Sequence, residues 1–179
     1  MKSVEKLVYD IITLGGGANR YDVKYTETTN KPSLIFLNTE NCNNEIDVTV
    51  INFRDGGWFD IQSFSKIMNN IHKSISKNIY PEIFGIKFEH IESIHIDGWN
   101  SDSSSIKFEN GDIIMTFRTE QKESYEKVKK YLMDYFKLLN QEFKESEKKI
   151  ELMEYIQKRI ENIPLENLER LKTTLEVYY

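Results

Sequence analysis

The chain has 179 residues, and its 39% hydrophobic and 30% charged residues are typical of a globular protein rather than a disordered or fibrous one. A net charge of −5 argues against a protein that is held to nucleic acid by neutralising phosphates. The abundance of Ile, Lys and Asn beside a single alanine indicates an AT-rich genome, that of a bacterium or of one of its phages or mobile elements.

A single cysteine, Cys42, cannot form an internal disulfide bond and favours a reducing compartment. The apolar run near the N-terminus is interrupted by Asp10 and lacks a small-residue cleavage site, so it does not match a signal peptide. No stretch has the roughly eighteen consecutive apolar residues of a transmembrane helix. We therefore expect a cytoplasmic protein that does not associate with a membrane.

The first part of the chain predicts an α+β body. Ser3 is placed to cap a first helix, which the glycine run Gly15–Gly17 should end. Residues 21–28 and 33–38 predict two strands around a turn, and residues 46–53 predict a third strand. Together these elements favour an antiparallel sheet that begins after the first helix.

The spacing of apolar residues becomes helical over residues 60–78, where one face carries Ile61, Phe64, Met68, Ile71 and Ile75. A further strand is predicted over residues 86–96, and Asn110 followed by Gly111 predicts a β-hairpin. The fold class is therefore α+β, an antiparallel sheet with two packed helices. With Asn110 and Gly111 as the loop, the expected register pairs Phe108 with Ile113 and Ile106 with Met115.

Every glycine lies at or before Gly111, which indicates that an all-helical C-terminal extension begins near residue 120. We therefore divide the chain into a body, residues 1–119, and a helical extension, residues 120–179. A long helix, either unbroken or bent near Ser146, is predicted over residues 122–162. Proline at position 164 separates it from a short return helix.

Apolar residues recur at every third or fourth position along this extension, which indicates one apolar stripe along a helix. Three partners could cover this stripe. They are the body or return helix of the same chain, a second copy of the chain in a coiled coil, and a foreign protein. Bulky Tyr and Phe side chains are unusual in a tight two-stranded coiled coil. For a homodimer, the oligomerisation residues would be Val128, Leu132, Tyr135, Leu139, Phe143, Ile150, Met153 and Ile160.

Two glycine turns carry the tryptophans, which either cover the edges of the core or anchor a partner. Between Glu82 and Asp112 there are seven acidic side chains and two lysines. This acidic segment is either a solvated sheet face or an electrostatic decoy for a positively charged groove. The candidate partner-binding residues are Trp58, Trp99, Glu89, Glu92, Asp97, Asp102, Glu109 and Asp112.

The best set of candidate catalytic carboxylates consists of Asp47, on the third predicted strand, and Asp60, after the following glycine turn. In this arrangement the chain is similar to the core of the PD-(D/E)xK nucleases. The resemblance implies that Glu5, Asp47, Asp60 and Gln62 would share Mg²⁺ with a scissile phosphate. Gln62 stands where that family has a lysine, and Asp60 is better placed to cap the second helix.

We expect a small acidic binding protein that inhibits or neutralises a partner protein with a basic surface. Such proteins include anti-CRISPR-type inhibitors of defence nucleases and immunity-type proteins that neutralise toxins. We expect no cofactor and no direct binding to nucleic acid, and a homodimer through the C-terminal helices is one option for the extension. The alternatives are a divalent-metal-dependent nuclease and a structural or assembly protein of a phage or its host.

Overall fold

The computed structural model describes residues 1–28, 31–40, 47–77, 93–94, 102–108 and 113–178. These residues form an α+β arrangement followed by two helices, which confirms the predicted fold class. The chain divides into two compact units, residues 1–139 and residues 140–179. The elements are α1 (Val4–Leu14), β1 (Tyr21–Thr28), β2 (Lys31–Asn38), β3 (Val50–Asn52), β4 (Trp58–Asp60), α2 (Ile61–Ser76), β5 (Ser93–Ile94), β6 (Asp102–Lys107), β7 (Ile113–Arg118), α3 (Lys122–Ile160) and α4 (Leu165–Tyr178).

Helix α1 begins and ends where the sequence predicts. Ser3 Oγ accepts a hydrogen bond of 3.2 Å from the backbone N–H of Lys6, which satisfies a donor that the first helical turn leaves unpaired. At the other end Gly16 and Gly17 adopt φ values of +95° and +83°, a region that residues with a β-carbon rarely enter. The glycine run therefore ends the helix and turns the chain toward β1.

The strands form two antiparallel sheets. Strands β1 and β2 pair along their whole length, from Tyr21 opposite Asn38 to Thr28 opposite Lys31. The other strands form a five-stranded sheet with the order β3-β4-β7-β6-β5. The third predicted strand is shorter than expected, because residues 47–49 lie outside any strand and β3 contains only three residues.

Helix α2 packs the apolar face that its spacing predicts. Asp60 is its N-cap, with Oδ1 accepting a 2.9 Å hydrogen bond from the backbone N–H of Ser63. The same carboxylate accepts a second bond, 2.8 Å long, from Ser63 Oγ. The buried side chains of the helix are Ile61, Phe64, Met68, Ile71 and Ile75.

The register between β6 and β7 confirms one predicted pair and corrects the other. Ile106 lies opposite Met115 as expected, but Ile113 lies opposite Lys107 and not opposite Phe108. Ile114 is an extra residue at this point, so the pair contains a β-bulge. A bulge shifts the register by one residue. Pairing residues outward from the expected two-residue loop therefore gives the wrong partner at this point. The loop at 110–111, like most of the predicted strand 86–96, lies outside the described residues.

Candidate interaction surfaces

The first part of α3 belongs to the core of the first unit. Its apolar stripe is buried, with the side chains of Tyr125, Val128, Leu132, Tyr135 and Leu139 between 0% and 4% exposed. The ring of Tyr125 meets that of Phe117 on β7 edge to face, with 5.9 Å between their centroids. Of the residues predicted for oligomerisation, those from Val128 to Leu139 are therefore already covered within one chain, and Phe143 is buried as well.

A polar cluster around Asp10 attaches α3 to α1. The hydroxyl of Tyr131 on α3 donates a 2.6 Å hydrogen bond to Asp10 Oδ2. Lys2 Nζ lies 3.2 Å from the same oxygen, and Lys6 Nζ lies 2.8 Å from Asp10 Oδ1. Both carboxylate oxygens thus receive charged or hydroxyl donors, which compensates for the partial burial of the carboxylate.

The charges of this cluster stabilise one another. Burial alone would raise the pKa of Asp10, but hydrogen bonds from Lys6, Tyr131 and Lys2 outweigh burial and hold that pKa below its ordinary value. The hydrogen bond to Asp10 raises the pKa of Lys6. Burial, together with the bond to Asp10, raises the pKa of the Tyr131 phenol. The carboxylate is therefore ionised and the phenol protonated at neutral pH, an arrangement suited to holding helices together.

A second polar contact joins α3 to α2. His72 Nε2 lies 2.9 Å from Tyr135 Oη, and the same hydroxyl lies 3.4 Å from the carbonyl oxygen of Lys2. The histidine thus meets a hydroxyl on a buried helix face. Like the Asp10 cluster, this contact positions α3 on the body.

Sequence reasoning did not find the Asp10 cluster, although part of its signal was present. Lys2, Lys6 and Asp10 are spaced by four residues, and Lys6 and Asp10 within α1 are an i,i+4 ion pair on one helix face. Tyr131 lies 121 residues away from Asp10 and off the apolar stripe, so no local pattern identifies it as their partner.

Trp58 lies on β4, next to the edge strand β3 of the five-stranded sheet, on a face that is buried farther in at Thr116 and becomes exposed at the β3 edge. It pairs with Asn52 on one side and Thr116 on the other, so these three side chains share a face. The opposite face, with Ile51 and Phe59, is fully buried. Trp58 itself is only partly buried, Asn52 is exposed, and Val50, two residues along on the same face, is 48% exposed. We call Val50, Asn52 and Trp58 the Trp58 face.

The turn before β4 fixes the Trp58 backbone against β7. Gly56 and Gly57 have φ values of +104° and +78°. A β-carbon at Gly57 would collide with the carbonyl oxygen of Thr116, so a side chain cannot be accommodated there without moving the strand. The rigidity of this turn suits Trp58 to the predicted role of an anchor, because little conformational freedom would be lost on binding.

The other predicted partner-binding residues lie largely outside the described residues. Asp102 begins β6, where its backbone pairs with Ile94. Trp99, Glu89, Glu92, Asp97, Glu109 and Asp112 fall in segments that the structure does not describe. Their role in binding stays a prediction from the sequence.

The second part of α3 presents its apolar side chains to the outside. Leu152, Met153, Ile156 and Ile160 are between 36% and 60% exposed, and Leu165 at the start of α4 is 73% exposed. Ile150 is partly buried. Among the residues predicted for oligomerisation, Met153 and Ile160 are therefore the ones most open to a partner.

The carboxylates expected from the nuclease resemblance do not assemble into a metal site. Within the described ranges, no group of three His, Cys, Asp or Glu side chains could hold a metal ion, and these ranges include Glu5, Asp47 and Asp60. Both carboxylate oxygens of Asp60 are engaged by Ser63 at the start of α2. Asp60 is therefore explained by helix capping.

No protein-family model, curated protein or solved structure matches this chain. None of the helices in the described part of the chain is both long and apolar enough to cross a membrane.

Proposed function

We propose that this protein is a small, acidic, non-catalytic binding protein that inhibits or neutralises another protein in the cytoplasm. The partner would present a basic surface, as expected for a nucleic-acid enzyme blocked by an anti-CRISPR-type inhibitor or for a toxin held by an immunity-type protein. The observation that carries the proposal is the Trp58 face, a partly exposed tryptophan on a rigid sheet edge.

The geometry of the Trp58 face supports a role in protein binding. Tryptophan is enriched among the residues that dominate binding energy, particularly where it is held rigidly and flanked by residues that exclude water. Val50 and Asn52 supply such a rim on the edge strand β3. Burying the exposed part of Trp58 against a partner would remove apolar surface from water at low entropic cost.

The charge distribution supports a basic partner. Residues 1–139 carry 20 acidic and 17 basic side chains, and the segment from Glu82 to Asp112 alone has a net charge of −5. Complementary charge accelerates encounter and disfavours wrong partners more than it adds affinity. The Trp58 face would then supply affinity, while the acidic segment would supply selectivity for a basic surface.

The test is affinity capture from a lysate of an AT-rich bacterial host, followed by an activity assay of the captured protein. Trp58→Ala and a charge reversal of Glu89, Glu92, Glu109 and Asp112 are compared with wild type. The control is Lys148→Glu, an exposed change in the other unit. We expect both body variants to lose capture at least about tenfold, as removal of a hot-spot residue does, and wild type to suppress the partner's activity.

Two results would overturn the proposal. One is cleavage of DNA or RNA by the purified chain with Mg²⁺ or Mn²⁺ that disappears in Asp47→Ala, because this would establish the nuclease alternative. The other is a captured partner that keeps full activity in a large stoichiometric assembly, as a structural or assembly protein of a phage or host would produce.

A further inference from the structure

Four side chains at the end of α3 form an exposed apolar surface. Leu152, Met153, Ile156 and Ile160 lie within an arc of about 100° on a helix of 3.6 residues per turn, and we call them the distal stripe. Tyr155 is also exposed, but it lies about 115° from the centre of this arc on the same geometry. Its hydroxyl accepts a 3.2 Å hydrogen bond from Arg159 Nε, so it has a partner within the helix.

Almost none of the side chains that the structure describes in the second unit is buried. Among its described side chains, none after Phe143 is buried. Helices of globular proteins owe most of their stability to packing of an apolar face against other elements. Covering the distal stripe would therefore stabilise this end of α3, and a partner for it is missing from the described part of the unit.

The extent of the surface fits an interface between two copies. Monomeric proteins rarely expose contiguous apolar patches larger than a few hundred Å². At 36–60% exposure, the four side chains of the distal stripe present on the order of a few hundred Å² of apolar surface, most of the roughly 500 Å² per partner that a specific interface of about 1,000 Å² requires. Side chains spaced by three and four residues form ridges on a helix, and these ridges can pack into the grooves of an identical helix. The distal stripe can therefore pack against its own copy.

The charge of this unit also favours a second copy over the basic partner of the body. Residues 140–179 carry nine acidic and seven basic side chains, a net charge of −2. Such a balance gives little attraction to a strongly basic surface and little repulsion between identical units at physiological ionic strength. The four residues of the distal stripe carry no charge at all.

We propose that the distal stripe is the homodimer interface of this protein, in which each copy buries Leu152, Met153, Ile156 and Ile160 against the same surface of the other. The apolar side chains of α3 from Tyr125 to Leu139 take no part, because they are buried in the first unit of their own chain. The dimer goes beyond the proposed inhibitory function and does not depend on it. It would present two Trp58 faces in one assembly and so allow bivalent binding.

The test is sedimentation equilibrium of the full chain over a range of concentrations, with wild type, Ile156→Glu and Tyr155→Glu. Wild type should shift from a monomer of 21.2 kDa to twice that mass as concentration rises. Ile156→Glu should weaken the dimer at least about tenfold, since it places a charge in the interface. Tyr155→Glu adds the same charge one residue away and can pair with Arg159, so its dissociation constant should stay within about twofold of wild type.

Circular dichroism checks that Ile156→Glu and Tyr155→Glu still fold. Both substituted positions are exposed, so both variants should retain the helical signal of wild type. Ile156→Gln, which adds no charge, provides a second interface variant and should weaken the dimer in the same direction. The proposal is wrong if wild type remains a monomer up to hundreds of micromolar. It is also wrong if Tyr155→Glu weakens association as much as Ile156→Glu, or if neither interface variant changes it.

Discussion

The two ends of α3 carry apolar side chains at similar spacing but in opposite environments. Between Tyr125 and Leu139 the stripe is buried, and hydrogen bonds from Tyr131 and Tyr135 reinforce it. Between Leu152 and Ile160 the side chains are exposed. A helical period therefore identifies an apolar face without identifying what covers it.

The two ends of α3 differ in their polar contacts as well as in their burial. The proximal part of α3 reaches Asp10, Lys2 and His72, residues more than 60 positions away in the sequence. Two side-chain hydrogen bonds near the distal end stay within one helix or its cap, Arg159 with Tyr155 and Asn162 with Lys158. The proximal half is thus held by long-range contacts, whereas the apolar side chains from Leu152 to Ile160 remain exposed.

Truncating a leucine in the buried half of α3 should cost the most stability. Leu132→Ala removes a side chain that is 1% exposed and leaves a cavity, so we expect the free energy of unfolding to fall by about 2–5 kcal/mol. Urea denaturation followed by circular dichroism measures this loss. The matched control is Leu138→Ala on the same half of the helix, where the leucine is 46% exposed and the cost should stay within about 0.5 kcal/mol. Equal costs at the two positions would contradict the packing of α3 described here.

The next effect concerns the polar cluster. Asp10→Asn keeps the size of the side chain but removes the charge that Lys2, Lys6 and the Tyr131 hydroxyl share. We expect a loss of about 1–3 kcal/mol in the free energy of unfolding, because the partly buried Tyr131 hydroxyl and the two lysines lose a charged acceptor. Glu123→Gln removes an exposed carboxylate that pairs with Lys127, and it should leave the urea midpoint unchanged.

The pH dependence of this difference follows from the pKa of Asp10. Because hydrogen bonds hold that pKa below its ordinary value in the folded chain, the contribution of the carboxylate is complete above the unfolded-state pKa of about 3.9. It is lost as the pH falls through the lower folded-state pKa. The gap in urea midpoint between wild type and Asp10→Asn should therefore be largest near neutral pH and narrow toward pH 2–3. A gap that does not change over this range would exclude a stabilising charge at Asp10.

Local signals predicted the parts of the fold that depend on neighbours in the sequence. Ser3 and Asp60 cap α1 and α2 as expected, and the spacing of Phe64, Met68 and Ile71 identified the buried face of α2. These features depend on side chains within one or two turns of each other, so the sequence displays them directly.

The features that the sequence did not predict all need information from distant residues. The bulge at Ile114 shifts the register by one residue without any glycine to mark it. The bond between Tyr131 and Asp10 joins helices that are far apart along the chain. For the candidate binding surface, the sequence identified Trp58 as a possible anchor, but only the sheet register brings it together with Val50 and Asn52.

Truncating a leucine in the open half of α3 should cost the least stability. Leu152→Ala is the same substitution as Leu132→Ala, made where the leucine is 56% exposed. At protein concentrations low enough to keep the chain monomeric, the free energy of unfolding should change by less than about 0.5 kcal/mol, because the side chain leaves no cavity. Urea denaturation with a fluorescence readout suits these low concentrations. At high protein concentration the loss of unfolding free energy caused by Leu152→Ala should grow. The proposed dimer forms only between folded chains, so it stabilises wild type by mass action more than it stabilises the variant. A loss above about 2 kcal/mol at every concentration would show that the distal stripe is already covered within one chain, because only a buried leucine is that costly to truncate.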